Sequence, residues 1–201
     1  MFVVDDDISV RESLEGLLRS AGWRVETFVS AADFLAYPRT NVPCCLVLDV
    51  SLPDLNGLEL QQRLNDRRGV PIVFITGHGD IPMSVRAMKA GATEFLTKPF
   101  KPDALLDAVR GAIEGSAAAL SRETELKTLR ESYAALSQRE REVMALVVSG
   151  KLNKQVGGAL GISEITVKAH RGRVMRKMKA GSFADLVKMA ATLRPSAESP
   201  R

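Results

Sequence analysis

The chain has few residues suited to disulfide bonds, zinc sites or membrane spans. Its 201 residues include two cysteines and two histidines. The cysteines, Cys44 and Cys45, are adjacent within an apolar run, which is typical of a buried strand rather than of a disulfide framework or a zinc site. No apolar run approaches the roughly 20 residues of a bilayer span, and the start, MFVVDDD, becomes acidic too early for a signal peptide. We therefore expect a cytoplasmic protein with no membrane partner.

Charge is distributed unevenly along the chain. Residues 1–113 hold 12 Lys and Arg against 15 Asp and Glu (net −3), and residues 114–137 hold 3 against 4 (net −1). Residues 138–201 hold 13 against 5 (net +8). An acidic front and a basic back predict two domains with different partners. The basic end favours nucleic acid over the alternative of a solvated basic surface.

The front of the chain alternates between two kinds of segment. Five short apolar runs, FVV, VETF, CCLVL, PIVFI and TEFL, are separated or followed by amphipathic stretches at helical spacing. Near-continuous apolar strands that alternate with helices are typical of βαβ units. Residues 1–113 are therefore predicted to form an α/β domain with a parallel sheet, and its crossovers are expected to be right-handed.

The rest of the chain has no strand pattern. Residues 114–136 contain no proline and one glycine, which predicts a helical linker. The alternative to a simple linker is a dimer contact, because four residues of this segment have the spacing of a short coiled-coil seam. These residues are Leu126, Leu129, Tyr133 and Leu136. Residues 137–193 are interpreted as a four-helix domain and residues 194–201 as a disordered tail. The four helices have natural N-caps in Ser137, Asn153, Ser163 and Ser182.

Polar side chains are predicted at the carboxyl ends of four strands. Asp5 and Asp6 follow the first, Asp49 ends the third, Thr76 ends the fourth and Lys98 follows the fifth. In an open parallel sheet these ends form the ligand site. Clustered carboxylates need a cation, and hard oxygen ligands favour Mg²⁺. Aspartate is a known nucleophile toward phosphorus, so Lys98 and Thr76 are candidates to hold a phosphoryl group.

Residues 1–113 resemble the receiver domain of bacterial two-component response regulators. The motifs VVDDD, LVLDVSLPDLNG, ITGHGD and FLTKPF occur in the order and spacing of that family. The resemblance implies a flavodoxin-like (βα)5 fold and a phosphoryl group transferred to Asp49 from a sensor histidine kinase. It also implies direct Mg²⁺ ligands in Asp6, Asp49 and the backbone carbonyl of Ser51, with Asp5 acting mainly through water.

The same resemblance implies a phosphorylation switch. Lys98 and Thr76 correspond to the switch pair, and Phe95 to the rotating aromatic residue. Phosphorylation is expected to cause homodimerisation through the fourth helix and fifth strand, with the linker seam as the competing contact. The apolar residues expected on that face are Val85, Met88, Ala92 and Phe95.

Three other polar residues near the pocket receive modest roles. Asp7 and Asp54 are interpreted as solvated loop acids, and His78 as a polar loop residue that family members can use to tune loss of the phosphate. Related aspartyl-nucleophile phosphatases usually carry a second aspartate two residues after the nucleophile. Here that position is Ser51, which counts heavily against a phosphatase and leaves that activity as the weaker alternative. The chain is expected to catalyse its own phosphotransfer and slow dephosphorylation, and not to be a metabolic enzyme. A phosphorylation-independent DNA-binding regulator stays the main alternative.

Residues 153–179 have the pattern of a helix-turn-helix. Gly161 lies at the turn between a short helix and a second helix that opens at Ser163. An inward apolar stripe on the second helix is predicted to comprise Ile165, Val167, Val174 and Met178. The candidate DNA contacts are Thr166, Lys168, Arg171 and Arg173, with Lys168 at base edges, Arg171 and Arg173 at phosphates, and Lys177 too far along the helix.

This basic segment resembles the LuxR-type DNA-binding domain. Together with the receiver motifs, it places the chain nearest the FixJ-like branch of the NarL/FixJ class, which implies promoter DNA as a partner. Gly157 and Gly158 depart from a good scaffold helix, since each costs about 1 kcal/mol relative to Ala. Family members often have a DNA-reaching side chain where this chain has Gly172, so base preference cannot be transferred. A start at residue 2 for the first strand implies either an upstream native start or a short, frayed strand.

Overall fold

The structure is a computed structural model that describes residues 1–38, 41–65, 70–77 and 80–193. The chain divides into two compact units, the first Met1–Ser121 and the second beginning at Arg122. Each unit has its own hydrophobic core. No helix in the described part of the chain is both long and apolar enough to cross a membrane.

The first unit is a parallel sheet flanked by helices. Its strands are β1 (Phe2–Val4), β2 (Glu26–Phe28), β3 (Leu46–Asp49), β4 (Ile72–Thr76) and β5 (Glu94–Thr97). Its helices are α1 (Ile8–Ser20), α2 (Ala31–Ala36), α3 (Gly57–Asn65), α4 (Ile81–Lys89) and the start of α5 (Pro102–Ala134). The strand order is β2-β1-β3-β4-β5, with every pair parallel. The predicted α/β fold is confirmed.

Alternation along the strands distributes side chains between two cores. Leu46 and Leu48 of β3 pack on one face with residues of α2, α3 and α4. Val47 packs on the other face with residues of α1 and α5. Successive strand residues point to opposite faces, so a strand covered by helices on both sides must be apolar throughout. This explains the near-continuous apolar runs of the sequence.

The last helix of the first unit continues into the predicted linker. α5 is one helix of 33 residues that Gly111 and Gly115 do not interrupt. The buried residues of α5 all lie in its first half, where Ser116 is the last of them, and this half belongs to the first unit. Farther along the helix, Leu129 and Tyr133 pack against the core of the second unit. Leu136 is buried in that same core, so three of the four seam residues are covered within this chain.

The second unit contains α6 (Gln138–Val148), α7 (Asn153–Leu160), α8 (Glu164–Lys177) and α9 (Phe183–Leu193). Ser137 and Ser163 cap their helices as predicted, and Ser182 Oγ accepts the N–H of Asp185. The prediction for Asn153 was wrong. The capping position is Leu152, whose N–H donates to the side chain of Gln155 at 2.9 Å.

The two adjacent glycines of α7 have different environments. A Cβ on Gly157 would lie 2.7 Å from the carbonyl oxygen of Ile162, in the turn before α8. A Cβ on the exposed Gly158 would have no neighbour within 4 Å. Gly161 ends α7 in the left-handed conformation, with φ 66°. Close packing of α7 on the turn therefore requires a glycine at position 157 and not at position 158.

Candidate functional site

Four of the predicted pocket residues lie at the ends of neighbouring strands. Asp5 follows β1, Asp49 ends β3, Thr76 ends β4 and Lys98 follows β5. Because β1, β3, β4 and β5 are consecutive in the sheet, the fold brings these residues to one edge. Asp5 and Lys98, which are 93 positions apart in sequence, are in direct contact.

Lys98 bridges two buried carboxylates. Its Nζ lies 2.8 Å from Asp5 Oδ2 and 2.8 Å from Asp49 Oδ2. Asp5 is 0% exposed and Asp49 is 6% exposed. Burial lowers the pKa of Lys98, but hydrogen bonds to the two carboxylates outweigh it and the net pKa is raised. Burial raises the pKa of Asp5 in spite of its Lys98 partner. One ammonium therefore leaves the pair of carboxylates undercompensated.

Asp6 adds a third carboxylate to this edge. Asp6 is exposed, and one oxygen each from Asp5, Asp6 and Asp49 lies within 4.8 Å of the others. An all-oxygen set with one side open to solvent suits Mg²⁺, which keeps several of its water ligands. The net negative charge of the three carboxylates and the Lys98 ammonium also attracts a divalent cation. The residues present therefore fit a magnesium ion.

The loop after β3 holds Asp49 in place. The N–H of Ser51 donates to Asp49 Oδ1 at 2.9 Å. The N–H of Gly57 donates to the carbonyl of Val50 at 3.0 Å, and a Cβ on Gly57 would lie 2.6 Å from the carbonyl oxygen of Asp49. A side chain at position 57 would therefore displace the backbone that carries Asp49.

Asp7 and Asp54 do more than the solvated loop acids that the sequence predicted. Asp7 is the N-cap of α1 and accepts the N–H of Ser9 at 2.8 Å; its hydrogen bonds to Ser9 lower its pKa. Asp54 accepts the N–H of Ala32 at 3.0 Å and so caps α2 from the loop after β3. Burial acts to raise the pKa of Asp54, but the backbone donors of α2 lower it on balance.

Sequence reasoning missed one charged residue beside the pocket. Arg11 Nη1 donates to the backbone carbonyl of Asp5 at 2.7 Å. This bond ties α1 to the residue that follows β1. Nothing in the spacing of the sequence distinguishes Arg11 from any other charged residue of an amphipathic helix.

The predicted switch residues lie on the side of the pocket formed by β4 and β5. Thr76 is buried, and the N–H of Lys98 donates to its backbone carbonyl at 2.7 Å. Phe95 is half-buried, with its ring centroid 6.1 Å from that of Phe74. His78 lies outside the described residues, and its predicted role stays a prediction.

α4 presents an apolar strip to solvent. Ile81, Val85 and Met88 recur at helical spacing, and all three are exposed. The prediction that Ala92 contributes to this face was wrong. Its N–H bonds to the carbonyl of Ala87, and its side chain is buried in the core that α4 covers. The strip therefore consists of residues of α4, with Phe95 half-buried on β5.

The second unit has the predicted helix–turn–helix, with α7, the Gly161 turn and α8. Of the four candidate DNA contacts, Thr166, Lys168 and Arg173 are exposed. Lys168 lies 3.3 Å from Glu164 in an exposed ion pair. Such a pair contributes little to stability, so it leaves the Lys168 ammonium available to a stronger anion.

Arg171 differs from the other candidates because it is partly committed within the unit. Its Nη1 donates to Asn153 Oδ1 at 3.1 Å, and its guanidinium lies 4.8 Å from the centroid of the Phe183 ring. Lys177 is also committed: its Nζ bonds to Glu140 at 2.7 Å and to the carbonyl of Ala135 at 3.1 Å. No pattern in the sequence indicates these contacts, which join residues of different structural elements.

The prediction that Ile165 belongs to the inward stripe of α8 was wrong. Val167, Val174 and Met178 are buried, but Ile165 is 79% exposed. At 3.6 residues per turn, two positions along a helix correspond to about 200° of rotation. Ile165 therefore lies nearly opposite Val167, on the face that points to solvent.

Two known protein families match the chain, one over its α/β part and the other over its helical part. Residues 1–110 match the response regulator receiver domain family. Residues 134–190 match the bacterial regulatory proteins of the luxR family.

Individual relatives resemble the chain over nearly its whole length. Nodulation protein W of Bradyrhizobium diazoefficiens is 52% identical over 200 residues, which is 98% of this chain and 87% of that protein. The transcriptional regulatory protein FixJ of Azorhizobium caulinodans is 45% identical over 192 residues, 94% of this chain and 90% of that protein. The solved structure of the response regulator StyR is 50% identical, with a TM-score of 0.87, and the match covers 94% of this chain and 96% of that one.

Proposed function

The chain belongs to the response regulators that join a receiver domain to a LuxR-type DNA-binding domain, and we propose that Asp49 is its phosphorylation site. Members of this family regulate transcription and are not metabolic enzymes. The observation that carries the assignment is the position of Lys98, whose Nζ is shared between Asp49 and Asp5 at 2.8 Å each. A buried nucleophilic carboxylate with an adjacent cation suits attack on an anionic phosphoryl donor.

In the proposed reaction, an Asp49 carboxylate oxygen attacks the phosphorus of a phosphohistidine on the sensor kinase. The P–O bond forms, the P–N bond breaks, and the imidazole leaves. Bound Mg²⁺ would supply charge neutralisation and a clamp on a phosphoryl oxygen. Asp6, Asp49 and the Ser51 carbonyl are proposed as its direct ligands, with Asp5 acting through water. Lys98 would then pair with a phosphoryl oxygen rather than with the free carboxylate.

The new phosphoryl group is proposed to change the face formed by α4 and β5. It offers acceptor oxygens to Thr76 and Lys98, and Phe95 moves inward as Thr76 shifts toward the phosphoryl group. The exposed strip on α4, with Val85 and Met88, supports a second copy of this chain as the partner. Analytical ultracentrifugation with and without a phosphoryl analogue tests this, since an unchanged monomer fraction would exclude it.

The second unit is proposed to bind promoter DNA through α8, in the bacterial cytoplasm. Exposed Thr166, Lys168 and Arg173 support this, as does the net charge of +8 over residues 138–201. Arg171 is held by Asn153 and Phe183, so we propose that it is preorganised to reach a phosphate. We propose that the receiver domain comprises residues 1–113, the helical linker residues 114–136 and the DNA-binding domain residues 137–193. Residues 194–201, which lie outside the described part of the chain, are the proposed tail.

The phosphorylation site is tested with a small-molecule donor. The full chain is incubated with acetyl phosphate and Mg²⁺, and the expected product is one acid-labile adduct per chain. Asp49→Asn should take up none, whereas Asp54→Asn, a matched change at an exposed acid of the following loop, should still be labelled. Labelling of Asp49→Asn equal to that of the unaltered chain would contradict the assignment. Continuous turnover would indicate a phosphatase, and no reaction would indicate a phosphorylation-independent regulator.

A further inference from the structure

The solvent-facing side of α8 combines one large apolar residue with a cation and two small residues. Ile165 is 79% exposed at the second position of the helix. Lys168 and Ala169 follow on the next turn and Gly172 on the turn after, and all three are exposed. Residues three, four and seven positions apart lie on one side of a helix. These four residues therefore form one strip, called the α8 strip.

We propose that Ile165 contacts the 5-methyl group of a thymine in the major groove and so determines part of the base preference. The inference rests on the proposed function of α8 as the recognition helix and extends it to a specific base. Residues at the amino-terminal end of a recognition helix reach base edges. Among the groups on the major-groove edges, the thymine methyl is the one that suits an apolar side chain.

The polar residues next to Ile165 have partners within the protein, although they stay exposed. Ser163 Oγ accepts the N–H of Thr166 and lies 2.9 Å from its Oγ1. Glu164 pairs with Lys168 at 3.3 Å. Ile165 is thus the apolar part of an otherwise hydrogen-bonded first turn, at the point where the helix is expected to enter the groove.

The small residues of the α8 strip bring the helix close to the bases. A Cβ on Gly172 would have no neighbour within 4 Å, so packing does not require a glycine there. Without a side chain at that position, the helix backbone can approach a ligand closely. A short branched side chain such as that of Ile165 reaches the groove floor only when the helix lies close to it.

The charges beside the α8 strip favour DNA over an apolar protein partner. Lys168 lies within the strip, and Arg173 and Arg176 border it; all three are exposed. An apolar partner would have to desolvate these cations, whereas the phosphates of DNA would pair with them.

The test removes single methyl groups from the DNA. A preferred site is first selected from random duplexes by the full chain, treated with acetyl phosphate and Mg²⁺, at one fixed salt concentration. Each thymine is then replaced by deoxyuridine, which lacks only the 5-methyl group. We expect one thymine in each half-site at which this change weakens binding by about three- to fivefold, the value of one buried methyl group.

The Ile165→Ala variant should bind the selected site more weakly and should show no further loss at that deoxyuridine. Val187→Ala, a change at an exposed apolar residue of α9, is the matched control and should keep the deoxyuridine effect. Equal deoxyuridine losses for Ile165→Ala and the unaltered chain, or no loss at any thymine, would overturn the inference and leave α8 as the recognition helix. If the unaltered chain selects no preferred sequence, the proposed function of α8 fails and the inference fails with it.

Discussion

Two substitutions in α7, Gly157→Ala and Gly158→Ala, separate the contributions of helix propensity and packing to stability, because each adds only one methyl group. Gly158 is exposed, its backbone is helical, and a Cβ there would meet nothing within 4 Å. Gly158→Ala should therefore stabilise the second unit by about 0.4–1 kcal/mol, because alanine loses less conformational entropy on folding. For a unit of this size, that corresponds to a rise of roughly 2–8 °C in the unfolding midpoint.

Gly157→Ala gains the same helix propensity but meets a backbone atom. Its Cβ would lie 2.7 Å from the carbonyl oxygen of Ile162, which cannot rotate away as a side chain can. Overpacking of this kind typically costs 1–3 kcal/mol, about 2 kcal/mol in the middle of the range. The net effect should be a loss of about 1 kcal/mol, with a lower midpoint and a displaced turn before α8.

The assay is thermal unfolding of the full chain, followed by two signals. Far-ultraviolet circular dichroism reports on all the helices, whereas Trp23, the only tryptophan, reports on the first unit. The tryptophan signal should not move in either variant, which provides the internal control. A shift in the same direction for both alanine variants would refute the argument that contact with Ile162 decides the effect at position 157.

Three further predictions concern the acidic pocket, acid stability and DNA. Asp6→Ala should weaken Mg²⁺ binding measured by calorimetry, because it removes a proposed direct ligand; unchanged affinity would contradict the proposed ligand set. Hydrogen bonds from Lys177 and from the N–H of Ser137 lower the pKa of Glu140 to about 2 from an ordinary 4.5, so their stabilising effect is full above pH 4.5 and is lost as pH falls through 2. Glu140→Gln should shrink this acid-dependent loss in unfolding experiments, and an unchanged pH profile would show that the pair is unimportant. In salt titrations of DNA binding, Lys168→Ala should cost about 1–3 kcal/mol on the preferred site and relax its base preference, whereas Arg173→Ala should weaken binding to all DNA alike and reduce the salt slope. Matching behaviour of the two variants would contradict the proposed difference between a base contact and a phosphate contact.

The amino-acid sequence by itself determined the fold class, the family and the elements that carry each site. Strand and helix periods are local properties, so the alternation of apolar runs predicts a parallel sheet without any knowledge of strand order. The receiver motifs are local as well, since each consists of a strand end and the residues directly after it. The roles of the individual site residues, such as Ser51 and Thr166, stay predictions.

The tertiary structure decided which side chains meet, because those contacts join residues far apart in sequence. The strand order β1-β3-β4-β5 places Lys98 between Asp5 and Asp49, and the packing of α7 on the turn before α8 distinguishes Gly157 from its neighbour. The error at Ile165 has a different origin. An apolar residue at a helix start was assigned to the core, although its rotation relative to Val167 places it on the opposite face. Hydrophobicity indicates that a side chain can be buried, but the orientation of its helix against neighbouring elements determines whether it is buried.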